Sequence, residues 1–392
     1  MDNAFVSFRS DILMCSLVEN GPGQIARHPV RTDVEASQMT TSNISNDHSA
    51  GHAVLFQMSR AEKVGRFILN NGLLIALLAE IAIFALLIPL DIFFSQLNVI
   101  NILRMSAGVG ILGIFYAVAV IAGVIDLGYL GAMSLAGLIL GSLFQIAMWP
   151  LSLACLAALV VFLLVEGVNV LLITRAKVTS IIATIATSIL AVGLSYLILF
   201  QVTKEGYLRL LRPELQDLAD FNILGVPAII PLAVITFIVV YIVLNETKLG
   251  AHLYAVGGNA QAAQLNGINR SRLTALVLMG IALGGWITTI YVLSRTLYAQ
   301  VLMGSFGAST GAAQGTAFVR PDPLIACLFA GIALFGGVGR LERLLLAILF
   351  LAVMVSGMGI LNVSAALRVT VDGLAFVFAI LLESVRQYFE SR

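Results

Sequence analysis

The chain of 392 residues is 59% hydrophobic and only 11% charged, and its mean hydropathy is +1.00. Soluble domains carry about twice that share of charged residues. The composition therefore excludes a soluble, a disordered and a collagen-like chain, and a formal net charge of +1 gives no basic field for nucleic acid. We predict an all-α polytopic membrane protein.

The chain begins with a polar segment, residues 1–60, that mixes Ser, Thr, Asn and Asp with three of the four histidines. Its few apolar residues cannot bury enough surface to fold alone, so we predict a disordered cytoplasmic tail. Met39 and Met58 both precede the first long apolar run, which also allows a later start site. Residues 61–392 form the predicted transmembrane domain.

Ten apolar stretches follow, most of them long enough to cross about 30 Å of hydrocarbon. Because ten is even, both termini are predicted on one side. Twelve Lys and Arg residues fall on that side and six on the other, so the positive-inside rule places both termini in the cytoplasm. The predicted spans are 72–90, 105–125, 128–147, 151–173, 179–201, 223–244, 273–293, 324–338, 344–361 and 365–382.

The eighth span, 324–338, is short and needs shelter from neighbouring helices. The small-residue stretch before it, 296–320, is predicted as a re-entrant segment that dips into the membrane where protein covers it.

The chain lacks the motifs of several reaction classes. It contains no GxxxxGK[ST] phosphate loop, so any ATP-driven step needs a partner subunit. The GxGxxG match at Gly108, Gly110 and Gly113 lies inside an apolar span, and we interpret it as a place where two helix backbones approach closely. His252 is the only histidine beyond the tail, so we predict no metal site, no cofactor and no catalytic activity.

Two acidic residues inside the spans, Glu80 and Glu166, have no partner that the sequence identifies. Buried carboxylates are costly in a membrane and often mark ion pathways. An ion-gradient-driven secondary transporter is therefore the alternative function, and a membrane scaffold or an intramembrane enzyme is a third.

The loop 245–272 between spans six and seven has the pattern of a short capped helix. Gly257 and Gly258 end any preceding helix, Asn259 caps the next, and about two turns follow before Gly267. Such a helix, held out from the membrane, suits docking into a groove of another protein, although an ordinary solvated connector fits the same spacing.

Four segments stand out, in chain order: Gly123-Val-Ile-Asp-Leu127, Ile182-Ala-Thr-Ile-Ala-Thr187, Tyr254-Ala-Val-Gly-Gly-Asn-Ala-Gln-Ala-Ala-Gln-Leu-Asn-Gly-Ile268 and Leu334-Phe-Gly-Gly-Val-Gly339. They are similar to motifs of the permease subunits of ribose, xylose and galactoside ABC importers. The resemblance implies a permease that pairs with a second copy or a homologue and binds cytoplasmic ABC ATPase subunits. It also implies that the chain lies in the bacterial inner membrane and that a periplasmic binding protein delivers a sugar or a similar small polar solute.

The third segment resembles the family's coupling loop. The resemblance implies that the ATPase contact involves Gly257, Gly258, Asn259, Gln261, Ala263, Leu265, Gly267 and Ile268.

Two further sets of residues are candidates on the solute's route. External arginines offer donors for carboxylates of a docking protein, or are solvated loop charges or lipid headgroup contacts: Arg209, Arg212, Arg295 and Arg320. Polar residues near or within the spans are pathway candidates, although Ser and Thr in helices also bond their own backbone: Asp126, Tyr129, Ser134, Thr184, Thr187 and Ser188.

Overall fold

The computed structural model describes residues 60–204, 206–301 and 322–364, together with single helical positions between 367 and 381. Residues 1–59 of the predicted tail lie outside this part. The helices are α1 (Arg60–Leu87), α2 (Leu90–Phe93), α3 (Gln96–Ile121), α4 (Gly128–Gln145), α5 (Leu151–Thr174), α6 (Ser180–Val202), α7 (Pro213–Asp220), α8 (Ile229–Glu246), α9 (Lys248–Gly258), α10 (Ala260–Leu265), α11 (Arg270–Thr296), α12 (Asp322–Phe329) and α13 (Leu341–Ile360).

Seven of the described helices are long and apolar enough to cross a membrane: α3, α4, α5, α6, α8, α11 and α13. The apolar part of α1, Asn71–Leu87, is a little shorter. The prediction of a helical, multi-pass membrane protein is therefore confirmed, whereas the count of ten spans remains a prediction.

The eighth predicted span, 324–338, is not one helix. α12 ends at Phe329, and turns with positive φ at Gly331, Gly336 and Gly337 lead to α13. Glycine adopts these angles without the steric cost of a Cβ, which is why the apolar run does not continue as a helix. The tenth predicted span and most of the predicted re-entrant segment, 302–320, lie outside the described residues or are described only at single positions.

Two short antiparallel ladders modify the all-α prediction. β1 (Tyr207–Arg209) pairs with β4 (Tyr298–Gln300), and β2 (Asn222–Ile223) pairs with β3 (Val226–Pro227). Both ladders lie in connections between long helices, where the hydropathy pattern gives no strand signal.

α3 is the central helix, and it packs against α8, α11, α12 and α13. Side chains of these neighbours pack against its glycines. The ring of Tyr291 lies against Gly108, and Ile348 lies against Gly113. The sequence interpretation, a close approach of two backbones at this motif, is confirmed at Gly284 of α11, where a Cβ would lie 3.3 Å from Cα of Leu112, whereas the motif's own glycines are contacted by side chains.

Polar contacts also hold α3 to α13. The Asn98 amide nitrogen donates to the carbonyl oxygen of Phe93 (2.7 Å), and the Ser356 hydroxyl donates to the Asn98 side-chain oxygen (2.6 Å). Both polar side chains are buried, so each satisfies the other in an apolar setting.

The second layer is formed by α4, which packs against α5, α6 and α11. Buried residues make up 78% of the apolar window of α4, against 22% in α5 and 11% in α8. A helix that is apolar all round and exposed on most of its surface suits contact with lipid, so α5 and α8 are the peripheral helices of the bundle.

Candidate functional site: a glycine junction, a polar seam and an outer cap

The short helix α10 has the caps that its sequence predicts. The Asn259 side chain accepts hydrogen bonds from the backbone N–H groups of Gln261 (3.1 Å) and Ala262 (2.9 Å), and Gly267 has a φ of 80° just beyond the helix. The N–H of Ile268 donates back to the carbonyl oxygen of Ala263 (3.1 Å). Both ends of a six-residue helix, which would not be stable alone, are thus satisfied locally.

One face of α10 packs on the protein and the other is exposed. Ala263 is 4% exposed, whereas Leu265 is 89% exposed. Gln261 and Gln264 are exposed as well, and no residue of the helix is charged. An exposed leucine with amide neighbours on a capped helix is suited to insert into an apolar groove with a polar rim.

At the C-terminal end of α9, the backbone meets two distant segments. Gly257 lies against the carbonyl oxygen of Ile121 at the end of α3 and against the backbone nitrogen of Gly337, so a Cβ at this position would overlap both. A Cβ at Gly336 would lie 2.7 Å from the nitrogen of Gly123, and one at Gly337 would lie 2.6 Å from Cα of Gly258. We call these five residues the glycine junction: Gly123, Gly257, Gly258, Gly336 and Gly337.

Direct hydrogen bonds fix the junction. The N–H of Gly337 donates to the carbonyl oxygen of Ile121 (2.8 Å), and the Tyr254 hydroxyl donates to the carbonyl oxygen of Gly339 (2.9 Å). Burial, and then the nearby carboxylate of Glu342, raise the pKa of Tyr254. Its hydroxyl therefore remains a donor at neutral pH, and α9 is bonded to the segment that precedes α13.

The junction brings together three of the four segments singled out in the sequence, those beginning at Gly123, Tyr254 and Leu334. Sequence reasoning assigned Gly257 and Gly258 to the end of a helix, which is correct, since α9 ends at Gly258. It missed that both also touch other backbones. The paired glycines 336 and 337 were the available signal, but only the tertiary fold shows which segment they meet.

All six pathway candidates are buried. Asp126, Thr184, Thr187 and Ser188 lie along the contact of α4 with α5 and α6, which we call the polar seam. Tyr129 instead packs against the ring of Tyr116 in α3 (centroids 5.6 Å apart), and the Ser134 hydroxyl donates to the carbonyl oxygen of Leu130 in its own helix (3.1 Å). The N–H of Leu127 donates to the Thr184 hydroxyl (3.1 Å), and the N–H of Gly131 donates to the Ser188 hydroxyl (3.2 Å). These bonds hold the start of α4 to α6, and a role in the solute pathway remains a prediction.

The deepest part of the polar seam contains two residues that the candidate set omits. The Asn169 amide donates to Glu166 (3.0 Å) and accepts from the Thr187 hydroxyl (2.6 Å). Both Glu166 and Asn169 are fully buried. Asn169 therefore bridges α5 to α6, and the i, i+3 spacing of Glu166 and Asn169 was the sequence signal.

Asp126 lies at the end of the seam nearest the glycine junction. One of its carboxylate oxygens accepts from the N–H of Gly128 (2.6 Å). The other oxygen of Asp126 and one oxygen of Glu166 accept no hydrogen bond from the described residues. Only two residues separate Asp126 from Gly123, so a single turn connects the glycine junction to the polar seam.

Residues 207–220 form a cap over the other end of α4. Leu208, Leu210 and Leu215 are buried beneath this outer cap. The N–H of Leu211 donates to the Gln145 side-chain oxygen (2.8 Å). The ladder of β1 with β4 ties the same segment to the end of α11.

Arg212 is the main polar anchor of the outer cap. One of its guanidinium nitrogens, Nη1, donates to the carbonyl oxygens of Phe144 (2.8 Å) and Trp149 (2.9 Å). Its Nη2 is 2.7 Å from the carboxylate of Glu214, and the guanidinium lies 4.1 Å from the centroid of the Phe144 ring. The structure thus gives this predicted docking residue a role inside the chain.

Of the other predicted docking residues, Arg209 is exposed and Arg295 is partly exposed, whereas Arg320 lies outside the described residues. The docking role of these three arginines remains a prediction.

A small cleft of about 20 Å³ opens between α4, α11 and β4. This volume suits one water molecule. The residues that line it include Met133, Gly137, Thr289, Thr296, Tyr298 and Gln300.

Comparison with known proteins places this architecture in a family. Residues 98–380 match the family described as "Branched-chain amino acid transport system / permease component". The chain is 27% identical to the ribose import permease protein RbsC of Haemophilus influenzae, over 82% of this chain and 95% of that protein. It is 27% identical to RbsC of Bacillus subtilis, over 74% of this chain and 86% of that protein.

A third relative is the L-arabinose transport system permease protein AraH of Escherichia coli, 30% identical over 56% of this chain and 62% of that protein. No solved structure matches the chain. The matched residues 98–380 include the glycine junction, the polar seam and the outer cap, and the chain belongs to this family of transport-system permease components.

Proposed function

We propose that the chain is the permease subunit of an ABC importer and that it passes a sugar into the cytoplasm, with ATP hydrolysed on separate ATPase subunits. Relatives named as ribose and L-arabinose permeases support a sugar, whereas the family description names branched-chain amino acids. These relatives do not favour the alternative, an ion-gradient-driven carrier. The observation that carries the proposal is α10, a capped helix with an exposed leucine, fixed to the bundle at the glycine junction.

In the proposed mechanism, the ATPase subunit binds the exposed face of α10 and moves it during the ATP cycle. The N-terminal neighbour α9 follows, because Asn259 both ends α9 and caps α10. At Gly257, no side chain separates the α9 backbone from the Ile121 carbonyl oxygen. Backbone atoms in contact cannot yield as a flexible side chain does, so displacement of α9 is passed to the end of α3 and to the turn 122–127.

From this turn the displacement reaches the polar seam. Leu127 is bonded to Thr184 of α6, and Asp126 to the start of α4. A shift of the turn therefore moves α4 relative to α6, which is a rigid-element rearrangement of the kind that switches access in transporters. We further propose that both termini lie on the α10 side, in the cytoplasm, and that a second permease copy or homologue completes the pathway.

A binding protein is the proposed source of the solute, and it docks on the opposite side from α10. Arg209 and Arg295 are the remaining described candidates for this contact. Reconstitution tests the proposed function: uptake of labelled ribose or arabinose into proteoliposomes should require added ATPase subunits, binding protein and ATP. Uptake driven by a proton or sodium gradient in this chain alone would overturn it.

Leu265→Asp tests the contact that carries the proposal. Because Leu265 is 89% exposed, the substitution should leave the melting temperature unchanged. It should reduce copurification of the ATPase at least tenfold, since a charge would enter an apolar groove. Leu211→Asp is the matched control, because Leu211 is 66% exposed but belongs to the outer cap. Equal ATPase binding in both variants would contradict a contact through α10.

A further inference from the structure

The connection between α7 and α8 forms a hairpin with an unusual surface. Residues 221–228 contain β2 and β3, and four large apolar side chains project from them into the surroundings. Leu224 at the turn is completely exposed, at 100%. The exposed fractions of the other three are 58% for Phe221, 46% for Ile223 and 43% for Val226.

Such a group of side chains is unfavourable in water. Single exposed apolar residues are common on protein surfaces, but contiguous ones mark a contact with lipid or protein. The turn itself requires φ of 52° at Leu224 and 80° at Gly225. A leucine is a poor choice for a left-handed turn position in water, where asparagine or aspartate is usual.

The hairpin continues directly into a lipid-facing helix. α8 begins at Ile229, and only 11% of its apolar window is buried. No charged residue occurs from 221 to 245, so the uncharged surface of α8 extends without interruption over the hairpin. The nearest charged residue before the hairpin is Asp220, at the end of α7.

The backbone of the hairpin is also suited to a medium with little water. Ile223 pairs with Val226, and the N–H of Ala228 donates to the carbonyl oxygen of Phe221 (2.9 Å). Pro227 has no N–H group that would need a partner. Pairing within the segment reduces the cost of moving backbone polar groups out of water.

We propose that residues 221–228 form an interfacial hairpin, which inserts Phe221, Ile223, Leu224 and Val226 among the acyl chains of the leaflet where α8 begins. The occupant of this surface is phospholipid. A monotopic segment of this kind lies in the membrane plane, about 5–10 Å below the headgroups. The acidic helix α7 then stays above the headgroups, and the hairpin anchors the outer cap to the bilayer beside α8.

Site-directed spin labelling tests the proposal in the full chain. The background carries Cys15→Ser, Cys155→Ser and Cys327→Ala, and the protein is reconstituted into vesicles of phosphatidylethanolamine and phosphatidylglycerol. A nitroxide is attached through Leu224→Cys. Two matched labels serve as references: Val234→Cys on α8, which is 52% exposed, and Asp217→Cys on α7, which is exposed.

If the hairpin is inserted in lipid, the label at 224 should collide more often with oxygen than with a water-soluble nickel chelate. The label at 234 should show the same preference. The label at 217 should show the reverse. A label placed by Phe221→Cys gives an independent reading if the turn does not tolerate the substitution at 224. Nickel accessibility at 221 and 224 equal to that at 217 would overturn the proposal.

Two other results would also overturn it. If nickel accessibility at 224 is high and falls only when the binding protein is added, the hairpin is a docking surface for that protein. If labels at 224 broaden one another, the hairpin contacts a second copy of the chain. None of these results bears on uptake by the reconstituted importer, so failure of this proposal is distinct from failure of the proposed function.

Discussion

The two ends of α4 are held in different ways. Near its start, the glycine junction joins α3, α9 and the segment before α13 through backbone atoms in contact. Near its end, side chains hold the outer cap to α4, with Arg212 and Gln145 as the polar contacts, and a backbone ladder holds the cap to β4 rather than to α4. Backbone contacts allow almost no adjustment, whereas a side chain can deviate by about 30° from its rotamer at a cost of about 1 kcal/mol. In the proposed mechanism, the first region therefore transmits displacement to α4, whereas the second tolerates it.

The largest effect is expected when the backbone contact of the junction is broken. In Gly257→Ala, the new Cβ overlaps the Ile121 carbonyl oxygen and the Gly337 nitrogen, and neither backbone atom can move independently. We expect ATP-driven uptake to fall at least tenfold, while ATP hydrolysis is retained in protein that inserts normally. Transport assays in proteoliposomes, with the amount of inserted protein measured in parallel, check this.

Gly193→Ala is the matched control for the junction, because a Cβ at this α6 position meets nothing within 4 Å. It should transport normally. Normal uptake in Gly257→Ala, at equal amounts of inserted protein, would show that the junction does not transmit the displacement of α9 and α10.

The next largest effect is expected in the polar seam, which separates the two regions. Asn169→Ala removes the donor to Glu166 and the acceptor for Thr187, both in buried positions. Glu166 then loses its hydrogen-bond donor, whereas the Thr187 hydroxyl can still donate to the carbonyl oxygen of Thr184 (3.1 Å), so the substitution should cost about 1–3 kcal/mol of stability. The melting temperature of the purified protein measures this.

A second asparagine serves as control for the seam. Asn245 donates to the carbonyl oxygen of Tyr241 at an exposed position of α8, so Asn245→Ala should leave the melting temperature nearly unchanged. Equal melting temperatures for the two variants would mean that Asn169 does not hold α5 to α6.

A smaller and local effect is expected at the outer cap. Arg212→Gln removes the ion pair with Glu214 and weakens the contacts with two carbonyl oxygens, and partial exposure limits the cost to about 1–2 kcal/mol. Hydrogen exchange should accelerate in residues 207–220 and stay unchanged in α9. Arg209→Gln, at an exposed position of β1, should leave exchange unchanged, and the same acceleration in both variants would contradict the anchoring role of Arg212.

The smallest effect concerns the ion pair of the outer cap. A hydrogen bond with its own backbone N–H, and then the bond from Arg212, hold the pKa of Glu214 below its usual value. A carboxylate with a lowered pKa contributes stability above its unfolded pKa, and this contribution is lost as the pH falls through the folded value.

Exchange rates of residues 207–220 test this pH dependence. Those of wild type and Glu214→Gln should differ slightly at pH 7 and converge below about pH 3. A difference that persists at the lower pH would assign the effect to something other than this charge.

Features that depend only on neighbouring residues were predictable from the sequence. Asn259 followed by a short run and Gly267 gave the capped helix α10, because caps depend only on neighbouring residues. The long spans were likewise evident from hydropathy. The junction was not, because the contact of Gly257 with Ile121 and Gly337 joins segments more than 75 residues apart.

Two other features could not be predicted from the sequence, for the same reason. The carbonyl oxygens that Arg212 binds belong to the end of α4 and to the connection that follows it, more than 60 residues earlier, so the sequence around Arg212 matched that of a solvated arginine. The apolar run 324–338 has the composition of a helix, but the positive φ of its glycines is fixed by the backbones packed around them. Sequence periodicity carries no information about such neighbours.

The partners of α3 have a consequence for biosynthesis. α8, α11, α12 and α13 all follow α3 in the chain, and the hydroxyl that satisfies Asn98 belongs to Ser356, 258 residues later. While the ribosome is still translating, α3 is therefore in the bilayer before Ser356 can donate to the Asn98 side-chain oxygen. Tyr291 and Ile348, which pack against its glycines, have not yet been made. A polypeptide truncated before α13 would lack both Ser356 and Ile348, so the Asn98 side-chain oxygen and Gly113 would face lipid without their partners until the last of these helices had been made.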